Sequence, residues 1–106
     1  MSAWYSEIEI VRVDPDFADL IPSFLENREE EIGLIKDSAA RGDYREVMRL
    51  GHGMKGVGTG YGFPEISVIG KAIEEAALRE DRPAIEREVD RLAEYLAAVE
   101  VVEDTK

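Results

Sequence analysis

Apolar residues recur at helical spacing in four separate stretches of this chain, and each stretch opens on a proline or an aspartate. A repeat near every third and fourth position gives a helix one apolar stripe, which must be buried against another element. The first stretch opens at Asp14-Pro15, a capping residue followed by the ring that suits a first helical position. It continues through Phe17, Leu20, Ile21, Phe24, Leu25, Ile32, Ile35 and Ala39, and Arg41-Gly42-Asp43 closes it. Pro22 lies inside this pattern and has no amide proton to donate, so the spacing predicts a kink, or a break between a short helical turn and the longer helix. Asp43, with Glu46 three positions on as an approximate capping box, opens a second helix with Tyr44, Val47, Leu50, Gly51 and Met54 facing inward. Pro64 opens a third, striped by Ile66, Ile69, Gly70, Ile73, Ala76 and Ala77, and Pro83 a fourth, striped by Ile85, Val89, Leu92, Leu96 and Val99. Short connections make an all-α, antiparallel four-helix bundle over residues 14–102 the expected architecture. Residues 1–13 read as an extended arm, because the alternation of Ile8, Ile10, Val11 and Val13 is a strand signal with no second run to pair with. Residues 103–106 read as a frayed tail.

Composition removes several classes of function. A chain of 106 residues, 44% hydrophobic, supports one core. No apolar run approaches the roughly 20 residues that span a bilayer, and the first residues lack a secretory pattern, so a cytoplasmic protein is expected. The absence of cysteine excludes disulfides and thiolate metal sites, and a single histidine excludes a multi-histidine centre. A net charge of -11 opposes nucleic acid and anionic membranes as partners, leaving a protein or a small ligand.

Residues 51–62 carry Gly51, Gly53, Gly56, Gly58, Gly60 and Gly62, although the helical pattern continues through Met54. Each glycine inside a helix costs about 1 kcal/mol relative to alanine, so this segment serves something other than helix stability. At about 100° per residue, Met48, His52, Lys55, Gly56 and Thr59 share one face, away from the inward stripe. His52 should point outward, and the residue most able to cover its ring, at position 56, is a glycine. Lys55 should help keep the imidazole neutral and nucleophilic, and should favour a phosphoryl group once attached. Arg45, Arg49 and Lys55 outnumber Glu46 on this helix, so Arg45, Met48, Arg49 and Thr59 are the candidate partner-binding residues, suited to an acidic active site.

The run His52-Gly53-Met54-Lys55-Gly56 on the second helix, followed by Ile73-Glu74-Glu75-Ala76-Ala77 on the third, resembles the histidine-containing phosphotransfer (HPt) domains of multistep two-component relays. The resemblance covers roughly residues 14–100 and matches a His-x-x-Lys-Gly pattern with an apolar residue before the lysine. It implies phosphorylation of His52, charge support from Lys55 and steric access through Gly56. It further implies a phosphocarrier without ATP-dependent kinase activity and with no cofactor in this chain. The Mg2+ needed for transfer is expected on the partner, a response-regulator receiver domain or a hybrid histidine kinase, and this chain is expected to be a monomer. The sequence leaves open which imidazole nitrogen is phosphorylated, the outer Nε2 being the natural choice for an exposed helical histidine. Gly51 and Gly53 exceed what the pattern requires, either permitting closer docking of a partner helix or reflecting local looseness.

Other motifs fail on context. Gly51-x-Gly53-x-x-Gly56 matches a dinucleotide fingerprint but follows a helix where that motif needs a strand, and no P-loop frame is present. Glu29-Glu30-Glu31 and Glu74-Glu75 read as solvated helix faces, since a carboxylate-bridged metal site would need Glu-x-x-His pairs. Tyr61, Phe63, Trp4 and Tyr5 read mainly as core or cap contacts. Two rival functions are an adaptor that binds a receiver or kinase through the same face without carrying phosphate, and a structural domain assembling through the arm from Trp4 to Val13.

Overall fold

The computed structural model describes residues 4–5 and 7–104; the parts of the expected arm and tail at 1–3, 6 and 105–106 lie outside the described residues. The main elements are β1 (Glu9–Val13), α1 (Ile21–Ala40), α2 (Tyr44–Gly58), α3 (Pro64–Leu78), α4 (Arg82–Ala98) and β2 (Val99–Glu103), with short 3-10 helices at Pro15–Leu20 and Thr59–Tyr61. Each long helix borders two others, α1 and α3 both lying against α2 and α4. The core between them is built from Ile35, Val47, Met54, Phe63, Ile66, Ile69, Ile73, Ile85, Val89 and Leu92. Among the described residues no helix is long and apolar enough to cross a membrane.

The helix boundaries follow from their first residues. Asp43 Oδ1 accepts the Glu46 amide at 3.2 Å, and Asp81 Oδ1 accepts the Ala84 amide at 3.1 Å, each satisfying an otherwise orphaned donor. Pro22, Pro64 and Pro83 all sit in the first turn of their helices, where a missing amide proton costs nothing. Asp14-Pro15 therefore opens the 3-10 helix and not α1, which begins at Ile21. Phe17 and Leu20, expected on the inward stripe, sit on that 3-10 helix and are exposed.

The ends of the domain differ most from expectation. β1 pairs in parallel with β2, in register from Glu9↔Val99 to Val13↔Glu103, and the Asp104 amide continues the ladder to the Val13 carbonyl at 2.8 Å. Arm and tail are thus each other's partner, with the whole helical bundle acting as the crossover that a parallel pair needs. Val99, expected to end the α4 stripe, starts β2, and residues 103–104 are tied down where a frayed tail was expected. Tyr5 packs edge-on against Tyr95 at 5.2 Å and accepts a hydrogen bond from Arg91 Nε at 2.8 Å, and Arg91 also bonds Glu65 and Glu88.

Candidate functional site

Between α2 and α3 small residues let two backbones meet. A Cβ on Gly70 would stand 2.5 Å from the Lys55 nitrogen and 2.8 Å from the Gly51 oxygen; one on Gly51 would stand 2.8 Å from the Glu74 nitrogen. A Cβ on Gly58 would meet Ser67 just as closely, at 2.5 Å from its backbone nitrogen. The side chain of Ser67 fills what space remains, donating to the Lys55 carbonyl at 2.8 Å and receiving the Thr59 amide at 2.8 Å. Gly51 therefore answers the question its presence raised: it serves the internal helix crossing and not an external partner.

This crossing carries Glu74 of α3 to the outward face of α2. Its Oε2 lies 2.7 Å from Nδ1 of His52 and its Oε1 lies 2.8 Å from Nζ of Lys55. The carboxylate is held below the usual range, chiefly by the Lys55 hydrogen bond, which outweighs an opposing effect of burial, and further by the hydrogen bond from His52. An ionised carboxylate only accepts, so Nδ1 is the donor, and in the neutral ring Nε2 keeps the lone pair. The His52 side chain is 67% exposed, which leaves that lone pair within reach of a reagent from solution.

Glu74 was expected on a solvated face and is instead the hub of the site. Its signal in the sequence was indirect. Gly51 and Gly70 both fall on inward stripes, which marks a close crossing, and Glu74 follows Gly70 by one helical turn.

The remaining candidates divide. Arg45, Met48 and Arg49 join Asp43, Glu46, Glu74 and His52 in lining one open groove of about 680 Å³ beside the imidazole. Thr59 is not part of it; it lies on the following 3-10 helix, with its amide and hydroxyl both turned onto Ser67. The basic excess of α2 is smaller than the sequence suggests, because Arg49 forms an ion pair with Glu46 and Lys55 with Glu74. A Cβ at Gly56 would meet nothing within 4 Å, and the same holds at Gly53, so neither glycine is explained by packing inside the domain. Tyr61 and Phe63 are core contacts, both stacked on Phe24.

Comparison with curated proteins and with solved structures returns no match. A family model, that of the Hpt domain, matches residues 19–101, which takes in all four helices of the bundle and the His52–Glu74–Lys55 cluster. Four helices, an exposed histidine on the second and a match over most of the chain agree with one another: this chain belongs to the Hpt domain family, whose function is histidine phosphotransfer in phosphorelays.

Proposed function

We propose that His52 accepts a phosphoryl group from the aspartyl phosphate of a receiver domain, free or within a hybrid histidine kinase, and passes it to an aspartate on another receiver. The observation that carries this reading is the bond from Nδ1 to Glu74, which leaves Nε2 as the free nucleophile on an exposed face. In the accepting step the Nε2 lone pair forms the N–P bond while the acyl-phosphate O–P bond breaks, and the partner's aspartate departs as a carboxylate. The Nδ1 proton stays on the ring, balanced by Glu74. Mg2+ on the receiver offsets the phosphoryl charge, and Lys55, one turn from His52 on α2, adds charge support. Gly56 leaves the approach to the ring clear. Arg45, Met48 and Arg49 offer the partner a groove beside the reacting nitrogen. The domain works as a monomeric, cytoplasmic carrier on an antiparallel bundle of residues 14–102, with no cofactor or ATP-dependent activity of its own.

The test is transfer itself: the chain, Mg2+ and receivers labelled on aspartate are mixed, and acid-labile, base-stable label is sought on the chain. Label on the wild type that is absent from His52→Gln is the expected result. Gly56→Leu adds a good helix former in open space, so it should keep the fold and lose at least tenfold in transfer rate. Receivers that bind without transferring label would replace this reading with the adaptor.

A further inference from the structure

The side chains around His52 balance in charge while the imidazole is empty. Asp43, Glu46 and Glu74 line the groove together with Arg45 and Arg49, and Lys55 is bonded to Glu74, so three carboxylates meet three cations. A phosphoryl group on Nε2 adds roughly 1.5 to 2 negative charges at neutral pH. The loaded site therefore has no counter-charge of its own unless one of the three cations changes partner.

The three differ in how free they are to do so. Lys55 is held at 2.8 Å by Glu74, a carboxylate that His52 engages from its other side, so its charge is already shared. Arg45 stands seven residues before His52, about 10 Å away along the helix axis. Arg49 stands three residues before His52, where side chains are neighbours on the helix surface, and a helical side chain at 52 leans back over the turn that carries it. Both residues line the same groove. Arg49 is bonded to Glu46 through Nε and, at 3.1 Å, through its Nη2, but the two side chains are 68% and 37% exposed. An ion pair this open to water contributes little and is readily given up.

We propose that Arg49 is a phosphoryl-binding residue with two alternative partners: it pairs with Glu46 while His52 is empty and turns to the phosphoryl group once Nε2 carries one, which favours the loaded form of the domain. The inference rests on the reading of His52 as the phosphoryl acceptor. It gives Arg49 a task inside this chain, separate from any contact with a receiver. A guanidinium offers parallel N–H donors that fit two phosphoryl oxygens as well as they now fit the two oxygens of Glu46. The exchange moves no proton and breaks no covalent bond. Glu46 is released to solvent, and its backbone stays in place because Asp43 Oδ1 still accepts its amide.

The experiment loads wild type, Arg49→Gln, Glu46→Gln and the double variant with potassium phosphoramidate, whose P–N bond breaks to release ammonia as the Nε2–P bond forms. After removal of the reagent a receiver and Mg2+ are added, and the equilibrium constant between phosphohistidine and phosphoaspartate is measured. That constant compares the free domains and does not depend on how well they dock, so it separates a hold on the phosphoryl group from a contact with the partner. The expected result is a constant shifted about threefold away from phosphohistidine in Arg49→Gln and about threefold toward it in Glu46→Gln, where Arg49 has no rival partner. Both single variants lose the same surface pair and should melt alike, so a merely structural effect would move both constants in one direction. In the double variant the gain from Glu46→Gln should vanish, because it acts through Arg49. A gain that persists there would trace to removal of a carboxylate alone and would overturn the exchange, as would an unchanged constant in Arg49→Gln. A wild type that takes up no phosphoryl group from phosphoramidate or from any receiver would overturn the underlying reading, and would do so before any equilibrium is measured.

Discussion

Substituting Gly70 by alanine should separate packing from propensity at the heart of the site. In isolation the change helps α3, since alanine is favoured over glycine in a helix interior by about 1 kcal/mol. In place, the new Cβ would lie 2.5 Å from the Lys55 nitrogen and 2.9 Å from Met54 Cβ, against an ordinary contact of at least 3.4 Å. The nearest atom is main chain and cannot rotate aside, so α2 and α3 must part by something near 1 Å. A gap of that size forfeits a quarter to a half of the dispersion across the contact, and overpacking of this kind costs about 3 kcal/mol at the upper end of its usual range. The net loss is about 2 kcal/mol, or a melting temperature lower by roughly 8–16 °C for a domain of this size. Gly53→Ala is the control: its Cβ enters open space, so only propensity acts and the domain should gain up to about 1 kcal/mol. Thermal and urea denaturation of both variants measure the pair. A Gly70→Ala protein as stable as Gly53→Ala would refute the argument that the α2–α3 crossing is limited by backbone contact.

Two further outcomes follow from other parts of the fold. α1 and α3 end in the same way, with left-handed residues at Gly42 (φ 74°) and Glu80 (φ 54°), but only the first is a glycine; Glu80→Gly should stabilise the domain by roughly 0.5–1 kcal/mol, read by urea denaturation. Burial pushes the phenols of Tyr5 and Tyr95 up to about 12, so the folded state holds these protons more tightly than the unfolded chain, whose tyrosines titrate near 10. Their contribution to stability is whole below about pH 10 and lost as pH rises from there to about 12. Absorbance titration of the four tyrosines should show two late steps, one of them missing in Tyr5→Phe; a single step near 10 would count against the docked arm.

What could be read from the sequence is what local chemistry determines. Asp43, Pro64 and Pro83 mark helix starts because capping and the missing proline amide act within one turn, and these three starts stand within a residue of expectation. The exposure of His52 followed from helical periodicity alone. Long-range pairing left no such mark. Val99 continues the spacing of Leu92 and Leu96, so nothing local shows α4 giving way to a strand, and the partner of that strand lies at the other end of the chain. Whether Asp14-Pro15 opened a kinked α1 or a separate short turn stayed open in the sequence, because a 3-10 turn and an α-helix use the same cap and the same first proline; the chain has the separate turn. Glu74 was hidden for a related reason: its partners are fixed by how closely two helices cross, which depends on glycines in both at once.

The glycines of α2 divide by face, and the division explains why one helix tolerates so many. Gly51 and Gly58 point inward and, with Gly70, bring α3 close enough for a glutamate side chain to reach across to a histidine and a lysine on its neighbour. Gly53 and Gly56, which both follow His52 on the helix, open onto free space and relieve no contact within the domain. At about 1 kcal/mol each, the outward pair lowers helix stability with no return from packing. An outward glycine is therefore understood only through what approaches from outside, whereas the inward ones are understood through the placement of Glu74. Filling an inward position should move Glu74 away from the ring and free the imidazole to turn; filling Gly56 should leave Glu74 where it is and obstruct the incoming phosphate. The two classes of variant would both slow transfer, but only the first should also lower the melting temperature.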